Sequence, residues 1–171
     1  VVLALGACER GFPSDSASFA TGSTPSGAQP SAQDARFLMA MLPHHQHGVD
    51  LAALALDPAR EASPRVVQLA DDISRQQTME IGRMQQWVRE WGAPAPTSSP
   101  APVPPGLLQM SGEQFDQVWL VVMSAHHEQA IAMARQIQLQ SSNEQVLDVA
   151  SAIVANQSAQ LGVMQGMRVP G

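Results

Sequence analysis

Residues 41–50 read MLPHHQHGVD and residues 121–134 read VVMSAHHEQAIAMA, and together they hold all five histidines of the chain. An adjacent histidine pair preceded by methionine occurs in each: Met41 before His44 and His45, Met123 before His126 and His127. A histidine cluster met once in an apolar segment means little, but one met twice in the same frame indicates an internal repeat. The repeat extends well beyond these stretches. Shifted by 80 positions, Val66, Ala70, Ile73, Gln77, Gly82, Met84 and Gln85 meet identical residues at Val146, Ala150, Ile153, Gln157, Gly162, Met164 and Gln165.

Hydrophobic periodicity gives each half two helices. In the first, Phe37, Met41, Val49, Ala52 and Leu56 recur at helical spacing, with Pro43 removing one internal hydrogen bond and predicting a kink near Met39. In the second, Ser63 and Pro64 read as an N-cap followed by proline at the first helical position. Val66, Leu69, Ile73, Glu80, Met84, Trp87 and Trp91 mark that helix, and Gly92 and Pro94 end it. Ser111 with Gln114 predicts a capping box opening a third helix, and Ser142 with Gln145 repeats the device for a fourth. Residues 93–106, APAPTSSPAPVPPG, form a proline-rich connection. Fourteen such residues in polyproline form reach about 43 Å, and a 25-residue helix is about 37 Å long. The linker can therefore run the length of a bundle. The expected fold is all-α: a ferritin-like four-helix bundle of two repeated hairpins, 33–92 and 107–168, joined by one long crossover that leaves helices 2 and 3 parallel.

Before the domain, which spans 33–168, lies a different kind of chain. Residues 9–32 are rich in Ser, Gly, Ala and Pro without periodicity and read as a flexible tether. The lone cysteine, Cys8, follows an apolar run ending Leu5-Gly6-Ala7. Small residues before a cysteine after a hydrophobic stretch resemble the lipobox of a bacterial lipoprotein, with residues 1–7 as the end of a signal peptide. Seven apolar residues are too few to span a bilayer. The expectation is a lipid anchor on Cys8, an exported, membrane-attached protein, and a mature domain without thiols.

All nine basic residues are arginine, and fifteen acids outnumber them for a net charge of −6. A surface of that sign argues against nucleic acid as a partner. Tyrosine is absent and methionine reaches nine, and the plain reading of any one of these methionines is flexible core filler.

Each predicted helix carries polar residues on its apolar face near mid-length: His44 and His45, then Gln77 and Glu80, then His126 and His127, then Gln157 and Gln160. Mid-length residues meet at the centre of a bundle, and burying them unpartnered costs a few kcal/mol each, in round terms about 1–3. They satisfy one another, or they bind something. Met41 and Met123 each share a face with the following histidines, and Met84 and Met164 lie a turn beyond Glu80 and Gln160. Thioether and imidazole together suit Cu(I) or silver, and thioether binds without losing a proton. His45 and His127 are the expected inward members of their pairs, and His47, matched by Gln129 in the second half, is expected at the surface. A di-iron centre wants Glu-x-x-His pairs, which are absent, and no zinc signature is present.

The segments MLPHHQHGVDLA and VMSAHHEQAIAMA, each followed by a helix carrying Q..EIGRMQQW or Q..QLGVMQGM, closely resemble the domain of unknown function 305 family over roughly residues 34–167. The resemblance implies a ferritin-like bundle, usually exported and often lipid-anchored, with some members binding copper or silver through Met and His. Ala125 stands here in place of a proline, and Gln160 in place of the second-half glutamate, so any metal site is asymmetric. The expected function is a tethered extracytoplasmic binder of copper for buffering or resistance, through Met41, His44, His45, Met123, His126 and His127, with Glu80, Met84 and Met164 as further ligands. The rival readings are a metal-free structural or partner-binding bundle and a metal-dependent oxidoreductase.

Overall fold

The computed structural model describes residues 30–93, 96 and 98–168; residues 1–29, with Cys8 and most of the tether, lie outside it. Four helices, α1 (Ala32–Leu56), α2 (Pro64–Glu90), α3 (Gly112–Gln138) and α4 (Glu144–Arg168), account for the domain, with no strand among the described residues. No helix among these residues is long and apolar enough to cross a membrane.

The helix starts are set by local chemistry, and two differ from expectation. α1 opens on a capping box: Asp34 N–H donates to Ser31 Oγ at 3.1 Å and Ser31 N–H to Asp34 Oδ2 at 2.7 Å. α3 lacks the box expected from Ser111 and Gln114, because Gly112 turns the chain with φ of +60° and Ser111 makes no side-chain cap. α4 is capped by Asn143, whose Oδ1 accepts from Val146 N–H at 3.2 Å, and not by Ser142. Asn is among the strongest cap residues, and Ser141 Oγ holds it by accepting from Asn143 N–H. α1 runs through Pro43 without interruption. The end of α2 is as predicted: Gly92 adopts φ of +60° and Ala93 N–H returns to Val88 O at 3.0 Å.

α1 pairs with α2 and α3 with α4 as hairpins, and α1 packs on α3. Two hydrogen bonds fix the direction of the last contact. Trp119 Nε1 donates to Leu51 O at 2.8 Å, and His126 Nε2 meets His44 O at 2.8 Å, so α3 descends as α1 climbs. At the other hairpin end Ser63 N–H, at the start of α2, donates to the Asp116 carboxylate, at the start of α3. Helices α2 and α3 are therefore parallel, and the 93–106 connection spans the bundle as its length requires. Arg60 Nη1 fastens the far end of that connection by donating to Leu108 O and Met110 O.

Apolar side chains from all four helices form two clusters. One contains Leu38, Met41, Met84, Ala134 and Ile153; the other contains Leu51, Ile73, Phe115, Trp119, Met123 and Met164. Val49 and Leu56, assigned to the inner stripe from sequence, are off it; Leu38, Leu42, Leu51 and Ala55 are the buried positions of α1 beside Phe37, Met41 and Ala52. Each fully buried large side chain contributes about 1.5–3 kcal/mol.

Candidate metal centre

Between the two apolar clusters lies a layer of buried polar side chains: His45 from α1, Gln77 and Glu80 from α2, Ser124, His126 and His127 from α3, and Gln157 from α4. The sequence put these residues at mid-length, and the bundle brings them to one level. His45 Nε2 lies 2.7 Å from Glu80 Oε2, and His127 Nε2 lies 2.7 Å from Gln160 Oε1. These two contacts are repeat equivalents, so the halves share one design and differ in the acid against the amide.

The second histidines do something else. His44 stacks on His126 with ring centroids 3.9 Å apart, and His47 meets His126 edge-on at 5.4 Å. His47 is thus half-buried against another imidazole and not a free surface residue. These three rings face the crossover across an open cleft of about 540 Å³ walled also by Ser99, Ala101 and Gln129. Burial pushes His44 down to about 4, with neighbouring His45 adding repulsion. His126 is lowered to about 2 by burial and then by His44. Burial likewise lowers His127 to about 4, against the raising influence of its bond to Gln160. All three are neutral imidazoles at neutral pH.

The methionines divide. Because α1 and α3 are antiparallel, the residue one turn before His45 and the residue one turn before His127 point to opposite sides of the polar layer. Met41 joins Met84 in one apolar cluster, and Met123 joins Met164 in the other. All four are fully buried, and Met164 Sδ sits 3.5 Å from Ser124 Oγ. The nine expected ligands therefore do not meet at a single point. They fall into two groups, Met41, His45, Glu80 and Met84 in the first hairpin and Met123, His127 and Met164 in the second, where Gln160 takes the place of the glutamate, with His44 and His126 at the contact between α1 and α3. Among the described residues no three His, Cys, Asp or Glu side chains converge as a metal cluster. Nitrogen and sulfur donors together are what the layer offers.

Two features escaped sequence reading. Gln76, half-buried on α2, bridges Glu80 and Gln160; its signal was its place one turn before Glu80. Gly48 sits where the neighbouring helices leave no room for a side chain, since a Cβ there would overlap Gln77 Oε1 and lie 2.7 Å from His126 Cε1. Its repeat counterpart is Ala130, a difference visible in the repeat alignment.

The family described as Domain of unknown function (DUF305) matches residues 34–105 and again residues 105–168. Among solved structures the chain is similar to CopM in its Cu(II)-bound form, with 27% identity and a TM-score of 0.70 over 79% of this chain and 95% of that one. The similarity to CopM in its Cu(I)-bound form is 28% identity and a TM-score of 0.69, over 78% and 94% of the two chains. A DUF305 fragment from Deinococcus radiodurans is similar at 28% identity and a TM-score of 0.71, covering 81% of this chain and 97% of that one. No protein with a curated description matches. With both halves of the domain matched in turn and the bundle shared with solved members, this chain belongs to the DUF305 family.

Proposed function

We propose that the domain binds copper, or silver, through paired methionine and histidine donors, and that it serves to buffer the metal or to resist it on the extracytoplasmic side of a membrane to which Cys8 tethers it. The carrying observation is the doubling itself: in each hairpin a fully buried histidine lies one helical turn from a fully buried methionine, and the partner helix supplies a second buried methionine. Met41, Met84 and His45 would hold an ion in one half, and Met123, Met164 and His127 in the other, with His44 and His126 as additional nitrogen donors between them. The donor set fits. Thioethers favour Cu(I) and silver, and neutral imidazoles ligate without releasing a proton.

Unpaired polar atoms within the layer support the same reading. Nδ1 of His45 and of His126, and both amide atoms of Gln77 and of Gln157, have no hydrogen-bond partner from the protein. Each such atom costs about 1–3 kcal/mol if nothing answers it. The similarity to CopM, known in Cu(I)-, Cu(II)- and Ag-bound forms, points the same way. A metal-free polar core is the competing account, and the bonds of His45 to Glu80 and His127 to Gln160 favour it. Calorimetry of the apo chain with and without Ag(I) separates the two: a ligand that binds only the folded state raises the melting temperature, and no rise means a structural core.

A further inference from the structure

A continuous line of hydrogen bonds joins the two buried histidines. His45 Nε2 meets Glu80 Oε2 at 2.7 Å, Gln76 Nε2 donates to Glu80 Oε1 at 3.4 Å, Gln160 Nε2 donates to Gln76 Oε1 at 3.0 Å, and His127 Nε2 meets Gln160 Oε1 at 2.7 Å. An amide end is ambiguous in isolation, but this line contains one group with a fixed role. A carboxylate only accepts. Gln76 must therefore turn its NH₂ to Glu80 and its oxygen to Gln160. Gln160 must answer with its own NH₂, which leaves its oxygen facing His127, and His127 can satisfy an oxygen only with an N–H. The other oxygen of Glu80 imposes the same demand on His45.

We propose that Glu80 sets the proton positions on both buried histidines, directly on His45 and through Gln76 and Gln160 on His127, so that each ring carries its proton on Nε2 and its lone pair on Nδ1. Glu80 is then a positioning residue and not a metal ligand, and the donor atom presented to an ion is Nδ1 in both halves. That last consequence rests on the copper reading; the proton positions do not. Nδ1 of His45 has no hydrogen-bond partner from the protein, which keeps it free to donate, and Nδ1 of His127 faces only the Met123 carbonyl one turn back, which competes with Gln160 for the ring proton. A metal-bound imidazole held through its other nitrogen by a carboxylate or amide is a common way to fix ring orientation and tautomer. The line is specific to this chain's broken symmetry. Gln76 is matched in the second half by Asn156, one methylene shorter and exposed, so only the α2 side carries the bridge.

The test is long-range ¹H–¹⁵N correlation of the imidazoles in the full apo chain labelled at histidine. Wild type should show His45 and His127 as Nε2–H tautomers. Gln76→Leu should leave His45 unchanged and cost His127 its single tautomer, giving a mixture. Gln76→Glu restores an obligate acceptor facing Gln160 and should return His127 to Nε2–H. An Nδ1–H tautomer at His127 in wild type, or a His127 signal indifferent to Gln76→Leu, overturns the proposal. A parallel Cu(I) titration keeps the two claims apart: the expected tautomers in a chain that takes no copper uphold proton positioning and sink only the metal reading.

Discussion

His44 stacks on His126, its own repeat equivalent, with centroids 3.9 Å apart and planes 28° from parallel. A residue touching its own counterpart marks a twofold axis, as in an isologous dimer contact. The domain is therefore built like a two-protomer assembly within one chain, with the α1–α3 contact as its interface. That axis explains the layout of the candidate donors: it carries Met41 and Met84 to one side of the polar layer and Met123 and Met164 to the other. It is broken where His126 Nε2 reaches His44 O, where Gly48 is matched by Ala130, and where Glu80 is matched by Gln160.

The Gly48 contact yields the first prediction. A methyl group there would collide with Gln77 and His126, so Gly48→Ala should destabilise the domain by about 1–3 kcal/mol, the usual cost of overpacking. Gly82 and Gly162, in exposed helix positions with nothing within 4 Å of an added Cβ, are the controls. Alanine at either should stabilise by about 0.5–1 kcal/mol. Urea melts of the three variants measure this.

Acid should loosen the apo domain. His44, His126 and His127 have folded-state values depressed below the ordinary imidazole value, mainly by burial. From about pH 6.5 downward the unfolded chain takes up protons that the folded chain refuses. Their contribution is intact above about pH 6.5 and is lost as pH falls from there through about 4 for His44 and His127 and about 2 for His126. His126→Gln, which removes the most depressed of the three, should flatten this slope in thermal melts at stepped pH.

Trp119 ties α3 to α1 by a buried bond to Leu51 O. Trp119→Phe removes the donor and part of the ring, and should cost about 1–3 kcal/mol. Thermal unfolding followed by circular dichroism reads the loss, and an unchanged midpoint would show that the bond has no weight.

Cys8 is proposed as the acylated residue of the mature protein. Two or more acyl chains hold a protein stably at a membrane, at about 0.8 kcal/mol per buried methylene. Cys8→Ser should move the protein to the soluble fraction or leave it unprocessed. Intact mass of membrane-extracted protein checks it, and an unmodified Cys8 there refutes the anchor.

The fold was largely legible because the repeat and the periodicity are global signals. Identical residues eighty positions apart assign two hairpins, and a linker too long for a tight turn assigns the crossover. Helix starts were less legible, since Asn143 outcompeted Ser142 and Gly112 disarmed Ser111 through backbone geometry that sequence spacing does not carry. In the candidate site, the polar layer followed from mid-length placement alone. Its division into two halves was not read, although the expected crossover already made α1 antiparallel to α3, a direction that sends the residues one turn before His45 and His127 to opposite sides of the layer. Nor was the role of Gln76 read, since its place one turn before Glu80 is the one signal that separates it from any helix-surface glutamine.

The central claim is that both hairpins supply thioether and imidazole donors to copper. Competition of the full chain against a Cu(I)-specific chelator tests it most directly, using Met→Leu changes that keep core volume and usually cost less than about 1.5 kcal/mol. Wild type should withdraw Cu(I) from the chelator. Met41→Leu with Met84→Leu, or Met123→Leu with Met164→Leu, should each abolish one half of the binding, and the quadruple variant should fold and bind none. If wild type takes no Cu(I), or if the folded quadruple variant competes as well as wild type, the account of these donors is wrong.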